Sequence, residues 1–247
     1  MRIRLLPLLA TAALALMTPP ASAGSFTVNP VRLELAAGQH ATSMTVSNAG
    51  NVATTLQVSV HRWTRVDGVD VLEPVTNANS GDDAPIVTPP MFRLDVAGQQ
   101  IVRIGFAGRQ LDSAEGHWRV IVEELPQPQA ATPLVQIAMR LRVNLPLFRQ
   151  PAERRSALAW STEQAADGWA LAVDNQGTTT ERIDVATLAS NDGSTLSTLA
   201  GPLYVFPGER RAFPLQLAVP LPVTAAALLR VQGSVPLHDH ELALQRQ

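Results

Sequence analysis

Apolar and polar residues alternate along most of this chain after its first two dozen residues. A period of two is typical of β-strands that bury one face, whereas an amphipathic helix repeats every 3.6 residues. Short turn sequences such as Asp67-Gly68 and Ala97-Gly98 separate the alternating segments. These segments lie at residues 26–28, 32–35, 44–46, 56–60, 101–104, 118–122, 169–173, 182–185, 203–206 and 213–219.

The pattern predicts an all-β protein built as antiparallel sandwiches, since strands recur every 8–15 residues with turns between them. A proline and a charged run at residues 151–155 follow a long strand and precede a fresh set of alternating segments. We therefore predict two β-sandwich domains, at residues 24–149 and 150–247.

The first segment has the features of a cleaved secretory signal. Arg2 and Arg4 precede an apolar run from Leu5 to Met17, and Ala21-Ser22-Ala23 forms a cleavage sequence. The apolar run is well short of the roughly 20 residues of a membrane-spanning helix. We expect residues 1–23 to be removed and the chain to be exported, without membrane insertion.

Composition excludes several kinds of chemistry. The 247 residues carry a formal net charge of −2, with 16% charged residues, so the basic surface that nucleic acids require is not expected. Cysteine is absent, which excludes disulfides, thiolate nucleophiles and Cys-bound metals. All 19 basic residues are arginine, which excludes lysine Schiff bases and P-loop lysines. No G-x-S-x-G sequence occurs, so we predict a protein that is not an enzyme, with no cofactor and no metal.

One strand differs from the others. From Val135 to Leu145 every second residue is apolar and the residues between them are polar or small. An ordinary strand has about five or six residues, so this one is twice the usual length. It is either a long central strand of the core or an edge strand whose apolar row is offered to a partner.

Several segments of the first domain match those of a known family. They are residues 26–32, 45–50, 87–94, 98–104, 119–126 and 146–151, together with Trp63. Each segment is weak evidence alone, but over about 125 residues they occur in the order found in the PapD-like periplasmic chaperones of chaperone–usher pilus assembly, which the chain therefore resembles. The second domain is similar only in length and style. The resemblance implies that the exported chain lies in the periplasm of a Gram-negative bacterium.

This resemblance implies a boomerang of two immunoglobulin-like sandwiches that completes pilus subunits by donor-strand complementation and passes them to an outer-membrane usher. The long strand would donate its apolar row to the subunit. That row consists of Val135, Ile137, Met139, Leu141 and Val143.

In the family, two basic side chains bind the C-terminal carboxylate of the subunit. Arg32 matches the first position, but Asn144-Leu145-Pro146 stands where the second, a lysine, is expected. Arginine binds carboxylates bidentately and can replace that lysine from a nearby position. The candidates are Arg142, Arg140, Arg103 and Arg119, and the departure suggests a divergent branch such as the archaic, spore-coat-like pili.

The family also joins its domains through ion pairs, for which Glu115, Arg149 and Asp239 are the candidates. The alternative is a secreted immunoglobulin-like binding or adhesion module without chaperone activity. Such a module would keep the apolar row of residues 135–141 inside its own core.

Overall fold

The structure is a computed structural model that describes residues 26–76, 84–106, 114–126, 140–165, 168–217, 224–234 and 238–245. Strands and connecting loops make up these ranges, and no helix occurs in them. The expected signal segment lies outside the described residues, as do residues 135–139 of the predicted long strand.

Ten strands form the first sandwich. One sheet has the order β1-β3-β8-β6, and the other has the order β2-β10-β9-β4-β5, with β7 also paired to β4. The strands are β1 (Phe26–Asn29), β2 (Leu33–Leu35), β3 (Ala41–Asn48), β4 (Thr54–Val66), β5 (Val69–Pro74), β6 (Pro85–Thr88), β7 (Met91–Leu94), β8 (Gln99–Phe106), β9 (Gly116–Glu124) and β10 (Arg142–Arg149).

Seven strands form the second sandwich, whose sheets have the orders β11-β12-β15 and β14-β13-β16-β17. Its strands are β11 (Leu158–Ala165), β12 (Gly168–Asn175), β13 (Glu181–Ser190), β14 (Thr195–Val205), β15 (Arg210–Pro214), β16 (Thr224–Gly233) and β17 (His238–Gln245). The prediction of an all-β protein with two sandwich domains is confirmed. The exact boundary between residues 149 and 150 stays a prediction.

Each sandwich has its own core, made by the inward residues of the alternating segments. In the first, the buried cluster includes Val58, Val120 and Leu145 from three neighbouring strands. In the second, Leu171, Val173 and Leu229 belong to the corresponding cluster. Burying one such side chain is worth roughly 1.5–3 kcal/mol, so these clusters supply the main driving force for the fold without disulfides.

A third, aromatic cluster joins the two sandwiches. Trp63 and Phe148 of the first sandwich are almost fully buried, and Phe206 of the second packs against them. The ring centroids of Trp63 and Phe206 lie 4.7 Å apart in an edge-on arrangement, and His117 stacks on Phe206 at 4.2 Å. Edge-on and offset stacking are the favoured geometries of aromatic pairs. This contact holds one sandwich against the other beside a cleft.

A tight hairpin forms one rim of that cleft. Asp67 and Gly68 connect β4 to β5 with φ angles of 50° and 76°. Positive φ at both turn residues gives the backbone twist that suits a two-residue hairpin, and glycine adopts it without strain. The turn thereby places Val69 and Asp70 at the cleft.

Candidate functional site

A cleft of about 920 Å³ lies between the two sandwiches. The first sandwich contributes the residues before β2, the β4–β5 hairpin, β9 and the start of β10, and the second contributes β13, β14 and β15. Five arginines line it, namely Arg32, Arg65, Arg119, Arg182 and Arg211, against two aspartates, Asp70 and Asp184. A cleft lined mainly by one sign of charge attracts ligands of the opposite sign.

Arg32 lies at the edge of this cleft, immediately before β2. Its guanidinium carbon lies 4.7 Å from the ring centroid of Phe148, and its Nε donates to Glu34 at 2.6 Å. Its side chain is only 19% exposed. Since Glu34 occupies the Nε side, the Nη groups remain for a second acceptor.

Arg119 approaches the same cleft from β9. Its guanidinium carbon lies 3.6 Å from the ring centroid of Trp63, which is a close cation–π contact. Its guanidinium group makes no hydrogen bond or ion pair with any residue in the described part of the chain. Burial lowers the pKa of the Arg119 guanidinium below its usual value, and Arg65 lowers it further, against the opposite effects of Tyr204 and Asp70. An arginine keeps its charge under these conditions, so Arg119 presents a partly desolvated cation to the cleft.

Register explains why Arg119 lies near the position of the missing lysine. In the antiparallel pairing of β9 with β10, Arg119 is opposite Pro146 and Ile121 is opposite Asn144. The resemblance placed the second basic residue at residues 144–146. The structure supplies a guanidinium from the neighbouring strand instead.

The other three candidate arginines do not line the cleft. Arg103 lies exposed on β8, in the opposite sheet of the first sandwich. Arg140 is exposed before β10. Arg142 is exposed at the far end of β10, 4.0 Å from Glu123. The structure therefore brings together Arg32 and Arg119 and leaves these three apart.

Next to these arginines, β10 has an open edge. The strand pairs with β9 along its whole length, but with β2 only at Leu147, Phe148 and Arg149. From Arg142 to Pro146, no described strand pairs with its other side. An unpaired edge offers N–H and C=O groups to another strand.

Hydrogen-bond alternation shows which groups this edge presents. The Leu141 carbonyl accepts from the Glu124 N–H at 3.1 Å, on the side of β9. Because successive residues of an antiparallel strand point their peptide groups to opposite sides, those of Arg142, Asn144 and Pro146 face the open edge. Proline has no N–H. Because its nitrogen faces the open edge, Pro146 removes no hydrogen bond between β10 and β9. On the open side, the missing N–H limits the ladder that a partner strand can form.

The apolar row of this strand passes from solvent into the core. Leu141 is 37% exposed, Val143 is partly buried against the first core, and Leu145 is only 3% exposed. Val135, Ile137 and Met139 lie outside the described residues.

A polar contact also joins the sandwiches, and Glu115 is at its centre. The Glu115 carboxylate is fully buried, and its Oε2 accepts from the backbone N–H of Thr180 at 2.6 Å and from the Thr180 hydroxyl at 2.5 Å. His117 Nε2 lies 2.9 Å from the same oxygen. The expected partner Arg149 is buried over the rings of Phe106 and Trp118. Asp239 belongs to β17, but its side chain lies outside the described residues.

Sequence reasoning missed a buried ion pair that joins the sandwiches. Arg65 of β4, with a side chain only 6% exposed, donates to both oxygens of Glu209 at 2.6 Å and binds Asp70 through its other nitrogens. Glu209 in turn accepts from the Phe206 N–H at 2.8 Å. No spacing along the chain relates residues 65 and 209, so only the tertiary structure reveals this pair.

Two searches of the described residues gave negative results. In the ranges that the structure describes, no helix is long and apolar enough to cross a membrane. Within the same ranges, no group of three or more His, Asp or Glu side chains is arranged to hold a metal ion.

Solved structures of pilus chaperones share this fold. The chain is similar to a structure of the CsuC–CsuE chaperone–tip adhesion subunit pre-assembly complex from archaic chaperone–usher Csu pili of Acinetobacter baumannii, with 17% identity, a TM-score of 0.61, and coverage of 88% of this chain and 98% of that chain. It is also similar to a structure of the Salmonella enterica SafA pilin with the SafB chaperone, with 19% identity, a TM-score of 0.61, and coverage of 89% and 95%. The Pseudomonas aeruginosa CupB2 chaperone is another relative in fold, with 16% identity, a TM-score of 0.59, and coverage of 87% and 98%.

A search of curated proteins found no match. A family model does match: its description is pili and flagellar-assembly chaperone, PapD N-terminal domain, and it covers residues 25–154, more than half of the chain. The chain therefore belongs to the PapD-like family of pilus-assembly chaperones.

Proposed function

We propose that this protein is a periplasmic chaperone that binds incomplete pilus subunits by donor-strand complementation and delivers them to an outer-membrane usher. The observation that carries the proposal is the open edge of β10 from Arg142 to Pro146, which lies beside the cleft lined by Arg32 and Arg119. A strand edge and a pair of cations suit a peptide strand that ends in a free carboxylate.

The open edge of β10 would supply the first part of binding. A subunit strand pairs with the peptide groups of Arg142 and Asn144, and the ladder ends at Pro146. The apolar row at Val135, Ile137, Met139, Leu141 and Val143 then fills the groove of the subunit. Covering an open sheet edge together with exposed core removes the two features that cause aggregation of an incomplete sandwich.

The two arginines would supply the second part. Arg32 and Arg119 bind the C-terminal carboxylate of the subunit and so fix the register of its last strand along β10. A charge-assisted hydrogen bond of this kind contributes about 1.5–3 kcal/mol. A slip of one residue would turn every side chain of the subunit strand to the wrong face. The bound carboxylate therefore fixes the register of that strand in addition to contributing binding energy.

Co-purification tests this function. The chain is expressed in the periplasm with the pilin encoded beside its gene, and the complex is isolated through the chaperone. We expect a one-to-one complex with the wild type that is lost in Arg32→Ala, Arg119→Ala and Met139→Glu. Arg103→Ala is the matched control, since it removes an exposed arginine from the opposite sheet.

The contrary result is equally specific. If Met139→Glu unfolds the chaperone and no pilin co-purifies with the wild type, the apolar row belongs to the core of the protein. The adhesion-module alternative would then replace the chaperone proposal.

A further inference from the structure

Three guanidiniums from both sandwiches surround Tyr204, a residue that lines the cleft. The Tyr204 carbonyl oxygen accepts from Arg65 Nη1 at 3.1 Å and from Arg211 Nη1 at 3.0 Å. The guanidinium carbon of Arg119 lies 5.5 Å from the centroid of the Tyr204 ring. Arg65 and Arg119 belong to the first sandwich, whereas Arg211 lies on β15 of the second. Arg211 is absent from the residues that the sequence singled out.

The described residues do not balance these three charges. Arg65 binds Asp70 and Glu209 at hydrogen-bond distance. The Glu209 carboxylate is 4.0 Å from Arg211 Nε, and Arg65 already occupies both of its oxygens. Two carboxylates, of Asp70 and Glu209, thus lie among three guanidiniums, so one positive charge is left without a balancing carboxylate in the described residues. Of the other two cleft arginines, Arg182 on β13 binds Asp184 at 2.8 Å and Arg32 binds Glu34 at 2.6 Å.

Arg211 resembles Arg119 in its surroundings. Burial lowers the pKa of the Arg211 guanidinium below its usual value, and the positive charge of Arg65 lowers it further, while Glu209 and Asp70 act in the opposite direction. Its Nη2 donates to no residue in the described part of the structure, and its side chain is 21% exposed. A carboxylate entering the cleft would meet an available donor there and would relieve the repulsion among the cations.

We propose that Arg211 is a third ligand of the terminal carboxylate of the bound subunit, so that both sandwiches build the anchor. Arg32 and Arg119 contribute from the first sandwich and Arg211 from the second. This inference rests on the proposed chaperone function. It names the ligand class as a peptide strand with a free α-carboxylate, and it gives the second sandwich a direct role in recognising it.

Peptides that differ only at the terminus test the inference. The probe is a synthetic peptide with the sequence of the last strand of the pilin encoded beside the gene, prepared as the free acid and as the C-terminal amide. Binding of both to the full chain is measured by calorimetry for the wild type, Arg211→Gln, Arg211→Lys and Arg32→Ala. Arg210→Gln is the matched control, because Arg210 is its exposed neighbour and binds Asp174 and Glu163 instead.

We expect the amide to bind the wild type at least about 100-fold more weakly than the acid, because it loses the charge-assisted hydrogen bonds to Arg32, Arg119 and Arg211 together, each of which contributes about 10-fold. Arg211→Gln should weaken the acid by about 10-fold and leave the amide unchanged, since the amide lacks the charge that Arg211 binds. Arg211→Lys should recover part of the loss, and Arg210→Gln should change neither peptide.

Each contrary outcome identifies what is wrong. Equal weakening of both peptides by Arg211→Gln would assign Arg211 a structural role at Tyr204 and overturn the inference. If Arg32→Ala reduces the preference for the acid but Arg211→Gln leaves it at the wild-type value, the anchor belongs to the first sandwich alone, and the proposed function stands without this inference. If the wild type binds acid and amide equally, the carboxylate anchor of the proposed function itself is wrong.

Discussion

His61 is a titratable residue on β4, where its Nε2 lies 3.2 Å from the Ser59 hydroxyl. Burial lowers the pKa of His61 below its ordinary value of 6.5, and Arg142 lowers it further, while Glu123 acts in the opposite direction. The folded chain therefore binds this proton less readily than the unfolded chain. Protonation of His61 favours unfolding, so its contribution to the free energy of unfolding falls as the pH drops through 6.5 towards the lower folded-state pKa.

We expect His61→Gln to flatten the pH dependence of stability between about pH 7 and about pH 5. Urea unfolding at a series of pH values, for the variant and the wild type, measures the slope directly. His40→Gln is the control, because His40 is exposed. An identical slope in the wild type and His61→Gln would contradict the assignment.

Asn48 and Asn175 show what single-residue reasoning could and could not reach. Each lies in an Asn-x-Gly sequence, which is typical of a turn, and in each the glycine N–H donates to the asparagine oxygen at 2.9 Å. The sequence did not show that the same side chains bind distant strands. Asn48 donates to the Asp95 carbonyl at 3.1 Å, and Asn175 donates to the Val205 carbonyl at 2.9 Å. These partners are far away along the chain, so no local pattern encodes them.

At the scale of the strand, the proposed function separates binding from folding along one row of side chains that runs into β10. Leu141 is 37% exposed and Leu145 is 3% exposed, although both belong to the same face. We expect Leu141→Glu to abolish subunit co-purification while changing the free energy of unfolding by less than about 0.5 kcal/mol, as is usual for surface substitutions. Leu145→Ala should instead cost about 2–5 kcal/mol of stability through loss of core packing.

Urea denaturation and co-purification of the pilin, performed on both variants, separate the two effects. A large loss of stability in Leu141→Glu would show that the row is core throughout. Retained co-purification in a folded Leu141→Glu variant would remove this residue from the donated row.

The limits of β10 illustrate why element boundaries are difficult to predict. The alternating pattern predicted a strand that ends at Leu145, since Pro146 reads as the start of the domain junction. The structure continues the strand through Pro146 to Arg149. The missing N–H of the proline faces the open edge, where no described strand would use it. Whether a proline ends a strand depends on the side that it faces, which the sequence alone does not give.

For the whole molecule, the aromatic cluster determines how strongly the two sandwiches are coupled. Domains that share a mainly polar interface move relative to one another, whereas a packed hydrophobic contact restrains them. Phe206 contacts both Trp63 and His117 across the interface. We expect the wild type to unfold in one calorimetric transition and Phe206→Ala to unfold in two, because the variant removes the central contact.

Differential scanning calorimetry measures this coupling. Val96→Ala is the control, since Val96 is an exposed apolar residue of the first sandwich. A single, unbroadened transition in Phe206→Ala would show that the Arg65–Glu209 and Glu115–Thr180 contacts couple the domains without the aromatic cluster.

The sequence predicted two sandwiches correctly, because each sandwich buries its own alternating row and the period of two is a local signal. The contacts between them were largely missed. Trp63 is an ordinary strand residue in the sequence, and nothing local shows that Tyr204 and Phe206 cover its face. Contacts between domains involve few residues, widely spaced along the chain and without period. They follow from the tertiary structure alone.

The gradual burial of the β10 row also has an evolutionary consequence. On the proposed function, substitutions near Leu141 would alter the shape offered to a subunit and spare the interior of the protein, because Leu141 is 37% exposed. Substitutions at Leu145, which is 3% exposed, would disturb the core. We therefore expect the exposed end of the strand to tolerate change more readily than the buried end. On the proposed function, a new cargo could be acquired through a few changes in one short segment.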